Sequence, residues 1–300
     1  AFPDENEPVG AVATYTTGNW IIDLVLLPAL IEGGPRHSDQ SLYAIDVMHD
    51  LAEALGMPGR AGVIIAANNT DTNRGAAINE VHARIFTIGG GTSIMVTEGI
   101  EIYGEVYLQT GKAAEDATGG DIDAAGQAYQ FGLEWNHTVG NPMPIRAGFN
   151  YFYISGDGDT SATDDEANRF AAYENVNQLM IMENQYLGFD WDSNYTGFKL
   201  MGGTAFTVME ENDLDVELVV GFLRTAEDVV LGTQSEDALG TEVDLKFNWS
   251  LNDQFSLQFA LAFLTGSDVL ELAMDGGVPG SNPNSSDSAD MYVLGFDMAF

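Results

Sequence analysis

Residues 255–263 alternate without a break. Phe255, Leu257, Phe259, Leu261 and Phe263 are apolar, and Ser256, Gln258, Ala260 and Ala262 between them are small or polar. Successive side chains of a strand point to opposite faces, so a period of two writes one apolar and one more polar face onto a single strand. The same rhythm runs through Val243, Leu245, Phe247 and Trp249 against Glu242, Asp244, Lys246 and Asn248. It returns in Tyr129, Phe131, Leu133 and Trp135, and again in Ile145, Ala147, Phe149, Tyr151 and Tyr153. Thirteen such segments are legible, near 11–17, 19–30, 41–49, 60–69, 76–88, 98–110, 126–137, 144–156, 195–209, 214–225, 240–250, 255–265 and 290–300. One stretch, Asp50–Leu55, reads as a short turn of helix between strands. The most apolar run, Ile21–Ile31, is cut by Asp23 and Pro28 and falls short of the ~18 apolar residues of a membrane helix.

The connections predict which sheet this is. Turns near 138–143, 210–213 and 251–254 are tight, with Asn212-Asp213 and Asn252-Asp253 as turn formers. Between them lie long acidic links at 112–125, 157–194, 226–239 and 266–289. Short turns at one end and long loops at the other mark an outer-membrane barrel, whereas a soluble sandwich has no reason to sort its loops. The final strand is the sharpest signal: Tyr292, Leu294, Phe296, Met298 and Phe300 are apolar at every second position, and the chain stops on the aromatic. Such a strand resembles the C-terminal recognition strand read by the barrel assembly machinery of bacteria. The expected fold is therefore all-β, a single antiparallel transmembrane β-barrel over residues 1–300 in the bacterial outer membrane. An odd count of thirteen predicts that at least one strand and a signal peptide precede Ala1, giving 14–18 strands in all; without 11–17 the count is a complete twelve. Residues 1–5 themselves carry neither the basic nor the apolar region of a signal peptide.

Charge narrows the function. Forty-six acidic and ten basic residues give a net charge of −36, which excludes a nucleic-acid binder, since that needs a basic surface. There is no cysteine, so thiolate catalysis, disulfides and Cys-bound zinc are excluded together.

Three motifs resemble the alginate export family of outer-membrane channels. They are Ala13-Thr14-Tyr15-Thr16-Thr17-Gly18-Asn19-Trp20 leading into Ile22-Asp23-Leu24, then Tyr153-Ile154-Ser155-Gly156-Asp157, and Asn184-Gln185-Tyr186-Leu187-Gly188-Phe189-Asp190. The resemblance implies a barrel passing a polysaccharide or another polar solute, sometimes with calcium on its loops. The sequence departs from that family in its charge. The family's lumen is rich in arginine for a polyuronate cargo, whereas this chain has seven Arg and three Lys in total. Asn184 and Gln185 also stand where the family pattern has a His-Lys pair.

With the apolar face outward, the opposite positions line a pore. Acids expected there are Asp23, Asp46, Glu80, Glu101, Glu105, Glu134, Asp215, Glu217, Glu242, Asp244 and Asp297, and bases are Arg84, Arg146, Lys199 and Lys246. Carboxylate rings favour cations. The expectation is a passive, porin-like channel for small polar solutes, cations or neutral saccharides. The alternatives are an alginate-like channel for an anionic polysaccharide and a structural barrel that anchors or encloses a partner protein.

The loop residues Asp157, Asp159, Asp164 and Asp165 offer hard oxygen ligands suited to calcium, but lack EF-hand spacing; the plainer reading is a solvated acidic loop. No other cofactor is expected. His37, His49, His82 and His137 are scattered with no paired spacing, no nucleotide-binding fingerprint is present, and no enzyme is expected. Expected partners are outer-membrane lipid and lipopolysaccharide, the assembly machinery during biogenesis, and a second copy or partner protein. The 38-residue link 157–194, with Phe170, Tyr173, Tyr186, Phe189 and Trp191, either folds into the lumen as a constriction or reaches a partner.

Overall fold

The computed structural model describes residues 8–31, 38–73, 80–115, 121–137, 143–156, 166–168, 170, 179–181, 194–209, 212–231, 234–252, 254–266 and 288–298. The chain is all-β, and its long strands form an antiparallel up-and-down meander. It falls into two compact units, residues 1–95, 103–129 and 157–170, and residues 96–102, 130–156 and 171–300.

In the first unit the strands β1 (Pro8–Thr17), β2 (Trp20–Ile31), β3 (Ser38–Asp50), β4 (Gly59–Asn73), β5 (Glu80–Thr97) and β6 (Ile100–Glu115) are hydrogen-bonded in chain order. The turn Gly18-Asn19 joins β1 to β2, with Gly18 at φ 55°, in the left-handed region where glycine carries no Cβ penalty. Helix α1 (Ala52–Leu55), the expected helical turn, links β3 to β4. Two short strands, β7 (Ile122–Ala124) and β10 (Glu166–Ala167), form a parallel pair beside β6. In the second unit β8 (Gln127–His137), β9 (Ile145–Ile154), β11 (Tyr195–Met209), β12 (Asn212–Leu231), β13 (Gln234–Asn252), β14 (Phe255–Gly266) and β15 (Ser288–Met298) again follow chain order. The thirteen long strands match the thirteen alternating segments, including residues 8–17, which are a strand.

Two boundaries differ from the sequence reading. The link 226–239 is not a long loop: β12 and β13 continue through it, pairing Val229 with Glu236 and Leu231 with Gln234 after a register shift beyond Arg224. Val229 and Val230 are β-branched, a residue type enriched in strands. Likewise β5 does not stop at residue 88 but runs through Gly89-Gly90-Gly91 to Thr97. Side chains of β6 lie over these glycines. A Cβ on Gly89 would stand 2.2 Å from Tyr107 Cδ1, and one on Gly91 would stand 2.8 Å from Glu105 Cγ. The glycines keep the strand while leaving space for its neighbour's large residues.

The register sets the two faces. Across β13 and β14, Trp249 pairs with Leu257, Phe247 with Phe259, Leu245 with Leu261 and Val243 with Phe263, one apolar residue opposite another. Rings meet along this face, Phe198 stacked on Phe222 at 4.7 Å and Phe131 tilted against Tyr151 at 5.0 Å. Among the described residues no core lies above them. Leu218, Leu200 and Phe259 are exposed, and on β15 Tyr292, Leu294 and Phe296 are 65%, 71% and 68% exposed. A water-soluble monomer does not present an apolar band of this extent, whereas lipid covers one without cost. No helix among the described residues is long and apolar enough to cross a membrane.

Candidate pore wall

The opposite face of the same strands is polar, and in the second unit it forms a connected charge pattern. Strand pairing places Glu217 directly opposite Lys246, and their charged atoms are 3.6 Å apart. Arg146 on β9 reaches past β11 to Asp215 on β12, where Nη2 donates to Oδ1 at 2.6 Å and to Oδ2 at 2.7 Å. It crosses β11 at Gly203, its register partner; a Cβ there would be 3.0 Å from Nη2. The missing side chain is what lets one guanidinium span two strand spacings. Both pairs are partly exposed, so each contributes only ~0.2–1 kcal/mol. Their larger effect is electrostatic: two of the wall's bases are matched by acids on the same wall.

Lys199 faces the same way, in register with Gly221 and Asn150. Glu134, Asn136, Arg146, Met201 and Glu217 line a recess of about 160 Å³ whose floor includes Gly148 and Gly203. Glu242 and Asp244 also lie on this face, but both are fully buried. A piece of the link 157–194 is bonded to both. The Ile181 N–H donates to Glu242 Oε1 at 2.5 Å, and the Met180 N–H donates to Asp244 Oδ2 at 3.2 Å. Toward the loop end of this face the residues turn apolar: Phe152, Tyr195, Leu223 and Leu264 are buried there.

The polar face of the first unit is different. Asp23 and Asp46 are direct cross-strand partners, two like charges side by side. Among the described residues neither makes an ion pair, and Asp23 Oδ1 is buried without a hydrogen-bond partner. Further along, the Tyr107 hydroxyl donates to Glu105 Oε2 at 3.0 Å, and Gln109 Nε2 donates to Thr87 Oγ1 at 3.2 Å. Arg60, exposed at the turn end of β4, shares this face.

Most residues expected at the wall are at polar-face positions: Glu105, Glu134, Arg146, Lys199, Asp215, Glu217, Glu242, Asp244 and Lys246. Glu101 falls on the Glu105 side of β6, since side chains alternate along a strand and the intervening Ile102 is exposed. Arg84 is a correction. β5 pairs with β4 without a break, so Arg84 shares the face of the exposed Phe86 and Ile88, opposite the wall. Glu80 has the same register parity as Arg84, so its place in the pairing is not a wall position either. The side chains of Glu80, His82 and Asp297 lie outside the described ones, as do Asp157, Asp159, Asp164 and Asp165. Among the described residues no group of three or more His, Asp or Glu is placed to hold a metal ion.

The sequence missed the Asp23–Asp46 contact, because register across strands is not written in either strand alone. It also missed the seat on Glu242 and Asp244.

No family model matches the sequence, and no curated protein matches it. Among solved structures the chain is similar to the NanC porin, at 9% identity over 88% of this chain and 98% of that chain, with a TM-score of 0.34. It is similar to Pseudomonas putida OprB, at 10% identity over 86% of this chain and 79% of that chain, with a TM-score of 0.39. It is also similar to the beta domain of the Bordetella autotransporter BrkA, at 12% identity over 88% of this chain and 93% of that chain, with a TM-score of 0.30.

Proposed function

We propose that the chain is a passive, non-catalytic channel of the bacterial outer membrane that favours cations and neutral polar solutes such as small saccharides. One observation carries the selectivity: acids outnumber bases on the described walls, and two of those bases are already held by wall acids. Arg146 and Lys246 are held by Asp215 and Glu217, whereas Asp23 and Asp46 face each other with no ion pair among the described residues. An anionic polysaccharide passing such walls meets repulsion without a free row of guanidinium groups to hold it, so the alginate-like alternative loses its main support. The apolar face of the same strands supplies the lipid contact that a membrane channel requires. In this reading lipid and lipopolysaccharide surround that face, and the barrel assembly machinery reads β15.

The test is single-channel recording of the purified protein in a planar bilayer. Discrete, ohmic openings are the expected result. A correctly inserted barrel that stays electrically silent contradicts the channel and favours an anchor or sleeve for another protein.

A further inference from the structure

Leu179, Met180 and Ile181 are the described residues of the link between Phe170 and Asn194. Leu179 and Ile181 are buried, Ile181 completely. Three neighbouring wall positions receive them. Gly221 and Glu242 are cross-strand partners, and Val219 and Asp244 are the next pair on the same face. A Cβ on Gly221 would lie 2.5 Å from Leu179 Cδ1, so the glycine leaves the hole that the leucine fills. Glu242 and Asp244 accept the two backbone N–H groups that follow. Each half of this contact needs the other. Buried carboxylates are costly without donors, and backbone N–H groups removed from water are costly without acceptors. A freely draped loop would not bring two consecutive amides onto two buried acids and a leucine onto a glycine.

We propose that Gly221, Glu242 and Asp244 are positioning residues, holding Leu179–Ile181 on the wall as a fixed constriction, and that the two acids do not themselves select ions. This rests on the channel reading above. It divides the wall acids into two kinds, those exposed to the path and those consumed by the seat.

The chain has no cysteine, so Ile181→Cys introduces a single reporter. In the folded, bilayer-reconstituted protein this cysteine reacts slowly with a small water-soluble maleimide. Adding Gly221→Leu, or Glu242→Ala with Asp244→Ala, speeds labelling at least tenfold. The two variants act from different strands, and heat-modifiable migration on a gel shows that each is folded. The same variants without the reporter raise single-channel conductance about twofold. Rapid labelling of Ile181→Cys in the parent background overturns the seat, whatever the conductance. Faster labelling with unchanged conductance in an open channel overturns the constriction. If labelling responds as expected and neither parent nor variant conducts, the channel reading fails and takes the constricting role with it.

Discussion

Arginine in place of Phe259 is expected to destabilise the folded protein in a lipid bilayer by about 2–4 kcal/mol, while arginine in place of Gln258 costs far less. Phe259 sits near the middle of β14, opposite Phe247 and Leu294, on the face that nothing among the described residues covers. In water an exposed phenylalanine gains from replacement by a charge. In lipid the same replacement moves a guanidinium into hydrocarbon, so the sign of the effect reports the solvent of that face. Gln258 is the adjacent residue on the polar face, opposite Asn248 and Gly295, where an added cation meets water and acids. Reversible urea unfolding in liposomes measures both. A destabilised Gln258→Arg beside an unaffected Phe259→Arg would mean the faces are reversed.

Gly89→Val is the second large effect, expected to cost about 1–3 kcal/mol through overpacking. Its Cβ would lie 2.2 Å from Tyr107 Cδ1 and 2.6 Å from Cε1, so the ring must leave its place over the strand. Its hydrogen bond to Glu105 moves with it. Gly202→Ala is the control. Nothing lies within 4 Å of its Cβ, and alanine restrains the unfolded chain more than glycine, so that substitution is neutral or stabilises by up to ~1 kcal/mol. Equal losses at both positions, read by the same unfolding measurement, would show that the glycines serve strand geometry in general rather than the lodging of Tyr107.

The sheet was legible because its best strands are unambiguous. In β14 every second residue from Phe255 to Phe263 is a large apolar group, and the residues between are small or polar, so only one phase fits. In β5 the phase is not readable. Ile85 and Phe86 are adjacent and both apolar, and the glycines at 89–91 carry no side chain to break the tie. Sequence alone sends Glu80 and Arg84 inward, whereas the pairing with β4 puts Arg84 on the side of the exposed Phe86 and Ile88. A one-residue slip in phase exchanges every side chain between faces, which is why one misread tie moved a charge across the sheet.

The wall acids were legible singly and not in their relations. Alternation alone put Asp215, Glu217, Glu242 and Asp244 on one face. That Arg146 would cross β11 at Gly203, or that Asp23 would stand opposite Asp46, depends on register between strands, which neither strand's own pattern fixes. The role of Glu242 and Asp244 was hidden for another reason. Their partners are backbone N–H groups, which every residue but proline has, so no side-chain pattern in Leu179-Met180-Ile181 announces them.

The charge balance of the wall is the center of the functional account, and the reversal potential across a KCl gradient measures it most directly. With the matched bases Arg146 and Lys246 and the unmatched Asp23 and Asp46, potassium is expected to pass in preference to chloride. Poorly screened carboxylates closer than the ~8 Å Debye length of physiological salt enrich cations in the path. A reversal potential with the sign of potassium permeation is the predicted result. A chloride-selective sign would contradict the account and return the anionic polysaccharide as the cargo to test.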